Sequence, residues 1–224
     1  MAARAPRTVV GVDEAGRGAW IGPLVVGAVA IAEEHLEKLR DAGARDSKEL
    51  SPTRREEVYA RIGAIATTRS IELLPAEIDR HVDRGRLNDL EARTFGAIVR
   101  EFSPARAWVD ACDVDPRRFG RRVSAVAGPD VRVVSRHHAD RTFPVVGAAS
   151  IVAKVRRDRA IASLAASLGC DVGSGYPSDP RTVKFVTAHL RSGPMRPSWL
   201  RASWAPTQRI IHALPTRTLD GFDR

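Results

Sequence analysis

The segment VVGVDEAGRGAWIGPLVVGAVAI, residues 9–31, decides the fold, because Asp13 and Glu14 interrupt a run that otherwise has the composition of buried β-structure. Val and Ile dominate residues 7–13 and 22–31, and the Gly-rich stretch between them predicts two consecutive strands in a hairpin. Neither strand alternates apolar with polar residues. Strands that are apolar on both faces belong to a sheet covered by helices on each side.

Outward from this hairpin, helix and strand signals alternate. EEHLEKLRDAG (33–43) predicts a short helix ending near Gly43, and Ser51-Pro52 supplies an N-cap and a first-turn proline for a helix through TRREEVYARIGAIA (53–66). TTRSIELL (67–74) reads as a strand, PAEIDRHV (75–82) and RLNDLEARTFGAIVREF (86–102) as helices, and PARAWVDA (104–111) as a strand ending in Asp110. DVRVVS (130–135) is another strand. VVGAASIVAKVRRDRAIASLAASLG (145–169) is a long helix, with small residues on one face and Arg or Lys on the other, capped by Gly169. After GSGYPSDP (173–180), PRTVKFVTAHLRSG (180–193) predicts a further helix, followed by a Pro-, Trp- and Arg-containing tail. This order predicts an α/β sandwich with an antiparallel hairpin at its start, not a purely parallel winding.

The 224 residues carry 36 Lys or Arg against 27 Asp or Glu, a formal charge of +9. From Arg181 onward there are eight Lys or Arg and two Asp, so the excess is concentrated and favours a polyanionic partner. Cys112 and Cys170 are far apart with no CxxC spacing, which excludes a disulfide framework and a structural zinc site and fits reduced thiols in a cytoplasm. MAARAPRTVV has no signal-peptide pattern. The longest nearly apolar run, Ala19 to Ala32, is shorter than the about 18 residues a membrane span takes. A soluble cytoplasmic protein without a membrane partner is expected.

Four acids stand beside apolar or Gly-rich stretches: Asp13, Glu14, Asp110 and Asp140. Asp13, Asp110 and Asp140 follow predicted strands or begin helices, and such ends can converge on one sheet edge. Gathered carboxylates raise one another's pKa unless a divalent cation neutralises them, and oxygen-only ligands select Mg²⁺ or Mn²⁺ over zinc. Two such ions could clamp a phosphodiester for attack by water. Caps and turns are an equally good account of Asp in these positions, and the preferred one for Asp113, Asp115 and Asp179. Neighbouring strand residues point to opposite faces, so Asp13 and Glu14 can share a site only where the strand ends and turns, as Gly16 and Gly18 would allow.

GVDEAGRG, DSKELSPTRRE, LNDLEA, WVDACDVDP, HHADRTFPVVGAASIVAKVRRDR and GSGYPSDPRT resemble, in order and spacing, the ribonuclease HII family in its archaeal and eukaryotic-catalytic-subunit style. The resemblance runs from about Val9 to WLRASW. It implies a ribonuclease H-like α/β fold, a mixed sheet flanked by helices, with a catalytic part over 1–178 and a helical, basic C-terminal extension over 179–224. It assigns Asp13, Glu14, Asp110 and Asp140 as catalytic ligands of Mg²⁺ or Mn²⁺, with two ions per site. Gly16, Arg17 and Gly18 become the loop that reads a ribose 2′-hydroxyl through backbone groups, and Tyr176 the ring that packs on the next sugar. Ser47 and Lys48 fall near the substrate phosphates. Two positions depart from the family pattern: Ala19-Trp20 follows the GRG loop where relatives usually have Pro, and His138 replaces the lysine of HKAD.

The activity so implied is metal-dependent endonucleolytic cleavage of the RNA strand of RNA–DNA hybrids, and cleavage 5′ of single ribonucleotides embedded in duplex DNA. The products are a 3′-hydroxyl and a 5′-phosphate, and the enzyme is expected to be a monomer. Two competing readings are a non-catalytic hybrid-binding protein and a same-fold metal nuclease acting on DNA junctions.

Overall fold

The computed structural model describes residues 7–44, 50–193 and 196–213. Strand β1 (Thr8–Ala15) pairs antiparallel with β2 (Leu24–Ala32), in a register running from Thr8 opposite Ala32 to Ala15 opposite Val25. A 3₁₀ turn and the short helix α1 (Leu36–Asp41) follow, then α2 (Pro52–Ile65), whose N-cap Ser51 accepts from the Arg54 N–H. Strand β3 (Thr67–Leu73) adds antiparallel to the outer side of β2. After α3 (Pro75–Val82) and α4 (Leu87–Phe102), β4 (Arg106–Asp110) returns parallel to β1. Helix α5 (Pro116–Ala127) leads to β5 (Arg132–Arg136), parallel to β4. The single turn α6 (Ala139–Thr142), the long α7 (Pro144–Leu168), α8 (Pro180–Ser192) and α9 (Ala205–Ala213) complete the described chain. The sheet order is β3-β2-β1-β4-β5.

The expected mixed sheet between helical layers is therefore present. Val10, Val12, Leu24, Val26 and Ala28 face Phe95, Ile98 and Val99 of α4 and Phe119 and Val123 of α5. Val9, Val29, Ile31 and Trp108 face α7, α1 and α2 on the other side. Helix α7 lies almost on the backbone of the hairpin: a Cβ at Gly11 would stand 2.2 Å from the Val145 carbonyl oxygen, and one at Gly27 2.6 Å from that of Ala149. These two glycines permit the central layer contact.

Three expectations need revision. β1 extends to Ala15, so Asp13 and Glu14 lie inside the strand, opposite Gly27 and Val26, and not beyond its end. Their parallel neighbour stops earlier, with Val12 opposite Val109, so both acids still project past the paired part of β4. Helix α5 has no counterpart in the expected elements, although its Asp115 cap, Pro116 and buried Phe119, Val123 and Ala127 at four-residue spacing are ordinary helix signals. The repeated arginines between those residues masked the stripe. Helix α9, by contrast, falls within the helical C-terminal extension that the resemblance implies. Finally, α7 does not keep all its arginines on an outer face, for Arg157 is buried.

A third cluster fastens the C-terminal part to the loop after β1. Trp20, Ile21 and Ile161 pack with Val172, Val186, Leu190, Trp199 and Leu200. Ile21 bridges Leu200, and the Ala202 and Ser203 N–H groups donate to the Asp79 carboxylate on α3. Among the described residues no helix is long and apolar enough to cross a membrane.

Candidate active site

Parallel β1, β4 and β5 end on one sheet edge, and their C-terminal ends carry the acids. Asp13 and Glu14 come from β1, Asp110 closes β4, and Asp140 sits on α6 just after β5. The Ala139 N–H donates to Asp110 Oδ1 at 2.8 Å, tying α6 to the end of β4. His138 makes the turn between β5 and α6 in a left-handed conformation, φ 56°.

The acids lie close enough to shift one another. Burial pushes the Asp13 carboxyl well above its usual range, and Glu14 and Asp110 push it further, while a Ser150 hydrogen bond opposes them. Glu14 is raised by burial and by Asp110, against a hydrogen bond from the Cys112 thiol to its Oε2 at 3.2 Å. Burial raises Asp110, with Asp140 adding to it and the Ala139 N–H opposing. Burial and Glu14 push the Cys112 thiol well up, so it remains a donor to that carboxylate. Carboxylates raised by burial and mutual repulsion hold protons unless a counter-charge arrives.

Two of the acids each have one oxygen engaged by a backbone N–H. Asp13 Oδ1 accepts from the Glu14 N–H at 2.8 Å, and Asp110 Oδ1 is engaged by Ala139. Among the described residues no three His, Cys, Asp or Glu side chains are gathered to hold a metal ion as they stand. The donor chemistry nevertheless fits a hard divalent cation. All four groups offer oxygen, each carboxylate has a second oxygen, and Asp140 Oδ1 is buried without a hydrogen-bond partner.

Beside the acids stands the loop from Gly16 to Gly18. Gly16 adopts φ 86°, a left-handed conformation natural to glycine, and its carbonyl accepts from the Ala19 N–H at 3.1 Å. Gly18 is exposed, with open space where a side chain would be. The Arg17 side chain, still 40% exposed, reaches Glu91 on α4, donating from Nε at 2.9 and 3.2 Å and from Nη2 to Asn88 Oδ1 at 2.7 Å. Trp20, one of the departures from the family pattern, is buried, and its indole N–H donates to Thr207 Oγ1. The Trp20 N–H donates to the Gly175 carbonyl at 2.7 Å, which brings the Tyr176 loop against the glycine loop. Half-buried Tyr176 lies under the Arg157 guanidinium, 4.3 Å from ring centre to Cζ. A cleft of about 830 Å³ opens beside Gly18, lined by Asn88, Asp113, Arg118, Arg122 and Trp204, and does not cover the acids.

The four acids, Gly16, Arg17, Gly18 and Tyr176 thus share one region, whereas Lys48 and Ser47 lie outside the described residues. Asp115 and Asp179 cap α5 and α8 as expected. Asp113 accepts from the Asp115 N–H in a turn and is also a buried ion-pair partner of Arg118. Residues without a forecast role are Glu91 and Asn88, Cys112, Arg157 and Arg201. Glu91 carried a signal, being a charge next to the apolar stripe of LNDLEARTFGAIV, but only packing distinguishes it from a solvated helix residue.

Known proteins share this architecture. A family model described as Ribonuclease HII matches residues 10–207. A Ribonuclease HII of Cenarchaeum symbiosum is 48% identical over 206 residues, covering 92% of this chain and 98% of the relative. The crystal structure of ribonuclease H2 from Pyrococcus horikoshii superposes with a TM-score of 0.85 at 39% identity, covering 92% of this chain and 98% of that one. An RNase HII solved in a PCNA:RNase HII complex from Archaeoglobus fulgidus gives 0.82, also at 39% identity, over 96% and 100%. The chain belongs to the ribonuclease HII family, endoribonucleases that act on the RNA of RNA–DNA hybrids.

Proposed function

We propose that this chain is a divalent-metal-dependent endoribonuclease that hydrolyses the RNA strand of hybrids and also cuts 5′ of a single ribonucleotide in duplex DNA, leaving a 3′-hydroxyl and a 5′-phosphate. The observation that carries the reading is the meeting of Asp13, Glu14, Asp110 and Asp140 at one sheet edge beside the Gly16–Gly18 loop and Tyr176. The acids would hold Mg²⁺ or Mn²⁺, in two sites. When bound, such ions neutralise developing charge and make water a nucleophile at neutral pH. The protein's share is placement. The Gly16-Arg17-Gly18 loop, exposed at Gly18, would offer backbone groups to a 2′-hydroxyl, and the Tyr176 ring would pack on the next sugar, where a deoxyribose fits best. Lys48 is proposed at the phosphates, and the positive surface draws the nucleic-acid backbone.

The test is cleavage of a duplex with one ribonucleotide, in Mg²⁺ or Mn²⁺, against an all-DNA duplex. Asp110→Asn keeps an oxygen for the Ala139 N–H and so preserves the fold, yet cleavage should fall by on the order of 100-fold or more, the scale on which one charge-stabilising group acts. Undiminished cleavage by that variant, or equal cutting of all-DNA duplex, would reject the assignment.

Further proposals go with this reading. The A. fulgidus relative was solved with PCNA, and a partner of that kind is proposed here on that similarity. Cytoplasmic location, a role in removing ribonucleotides during DNA replication and repair, and a monomeric state are consistent with free Cys112 and Cys170 and a nucleic-acid substrate. The division into a catalytic part, 1–178, and an extension, 179–224, is proposed as a division of labour, the extension bracing the Gly16–Gly22 segment.

A further inference from the structure

Arg157, on α7, is a buried cation for which the proposed reaction has no direct use. It is 2% exposed, and burial holds its guanidinium below the usual arginine range. Among the described residues the nearest carboxylate oxygen belongs to Asp158, 3.9 Å from Nη1, and Asp158 is itself bound by Arg55 at 2.6 Å. Arg157 Nε is buried without any hydrogen-bond partner. A buried charge compensated so weakly is costly, and its placement therefore calls for a structural account.

What surrounds the guanidinium indicates which geometry. On one side is the Tyr176 ring, 4.3 Å away. Nη2 donates to the Ser174 carbonyl at 3.0 Å, two residues before that tyrosine. Two glycines also border it closely. A Cβ at Gly16 would stand 2.5 Å from Nε and 2.6 Å from Cδ, and one at Gly175 would stand 2.7 Å from Nη2. Both glycines also have positive φ, 86° and 82°. The flat group thus touches both the glycine-loop backbone and the aromatic ring, with room for it only because neither glycine has a side chain.

We propose that Arg157 is a positioning residue that spaces Tyr176 from the Gly16–Gly18 backbone, so that the sugars on either side of an RNA–DNA junction are read at a fixed separation. This rests on the assignment of those two elements to sugar recognition. A lysine would keep the charge but lacks the planar face for the ring and the fork for Ser174. Arg157 acts through Tyr176 and does not touch the reacting atoms.

The experiment compares Arg157→Lys and Arg157→Met with wild type on a single-ribonucleotide duplex and on a uniform hybrid, with kcat and KM measured separately. Loss of one desolvated cation–π contact should lower the junction-to-hybrid ratio of kcat/KM by roughly tenfold, with KM for the hybrid little changed. Lysine should not restore the ratio. In a Tyr176→Ala background, Arg157→Met should change the ratio no further. Ring-labelled tyrosine NMR adds a readout independent of catalysis: Tyr176 signals should move in Arg157→Lys while those of Tyr59, under Arg159, stay. Unmoved Tyr176 signals, or an unchanged ratio in folded variants, overturn the proposal. Should Arg157→Met fail to fold, Arg157→Lys and Gly175→Ala carry the same comparison. A wild type that leaves the single-ribonucleotide duplex intact rejects the proposed function, and the NMR comparison then still decides whether Arg157 sets Tyr176.

Discussion

Arg17 and Glu91, 74 positions apart, pair through the Arg17 Nε–H, which both Glu91 carboxylate oxygens accept, and the Glu91 side chain has no exposed surface. The pair anchors the glycine loop to α4. Burial nevertheless pushes the Glu91 carboxyl up to about 8, with Arg17 offsetting only part of that rise, while Glu91 holds the Arg17 guanidinium more firmly protonated.

This predicts a pH dependence. The unfolded chain releases the Glu91 proton near its ordinary value of 4.5, whereas the folded chain keeps it up to about 8. Wild type therefore loses stability relative to Glu91→Gln as pH rises between those values, with a slope of at most about 1.4 kcal/mol per pH unit, and the difference levels off above them. Urea unfolding of both proteins across this range checks it. Parallel profiles would mean that Arg17 fully compensates the burial.

Arg201, without exposed surface, donates through Nε and Nη2 to the Gly22 carbonyl at 3.2 and 3.1 Å, and through Nη1 to that of Arg17 at 2.9 Å. Burial and the neighbouring Arg157 lower it to about 9. Arg201→Met leaves two carbonyls short of donors, and removal of a buried charge offsets part of the loss. A net destabilisation of about 2–4 kcal/mol is expected from unsatisfied buried acceptors. An unshifted urea midpoint would show that the strap from the C-terminal part does not brace the loop.

Gly11 and Gly63 should respond in opposite directions to the same substitution. An alanine methyl at Gly11 meets the α7 backbone at 2.2 Å, and neither backbone can yield cheaply, so Gly11→Ala should cost at least about 2 kcal/mol. Gly63, inside α2, faces open space, and Gly63→Ala should stabilise by about 0.5–1 kcal/mol through helix propensity. Thermal melts of the two variants suffice to compare them.

Divalent ions should stabilise the folded chain through the acids. Mg²⁺ or Mn²⁺ at about 100 times its dissociation constant adds about 2.7 kcal/mol. The gain should shrink as pH falls, because the raised carboxyls of Asp13, Glu14 and Asp110 then keep their protons. Asp13→Asn should lose most of the gain. An equal rise in melting temperature for that variant would place the ions elsewhere.

The order of the strands and of most helices, the double-faced burial of the hairpin and the four acids as candidates were legible in the chain itself. Each depends on local rules: apolar runs for strands, proline and cap residues for helix starts, carboxylates at strand ends. Folding decided which charges act as structure. Arg157, Arg201 and Glu91 are ordinary surface residues by type, and their burial follows from α7, α4 and the C-terminal strap closing around the loop from Gly16 to Gly22. Trp20 looked like a departure from a family pattern and proved to be the loop's tie to Thr207, 187 positions away. Residue type and short-range spacing set local conformation. Which buried polar groups find partners is a property of distant segments brought together, and only the tertiary structure specifies it.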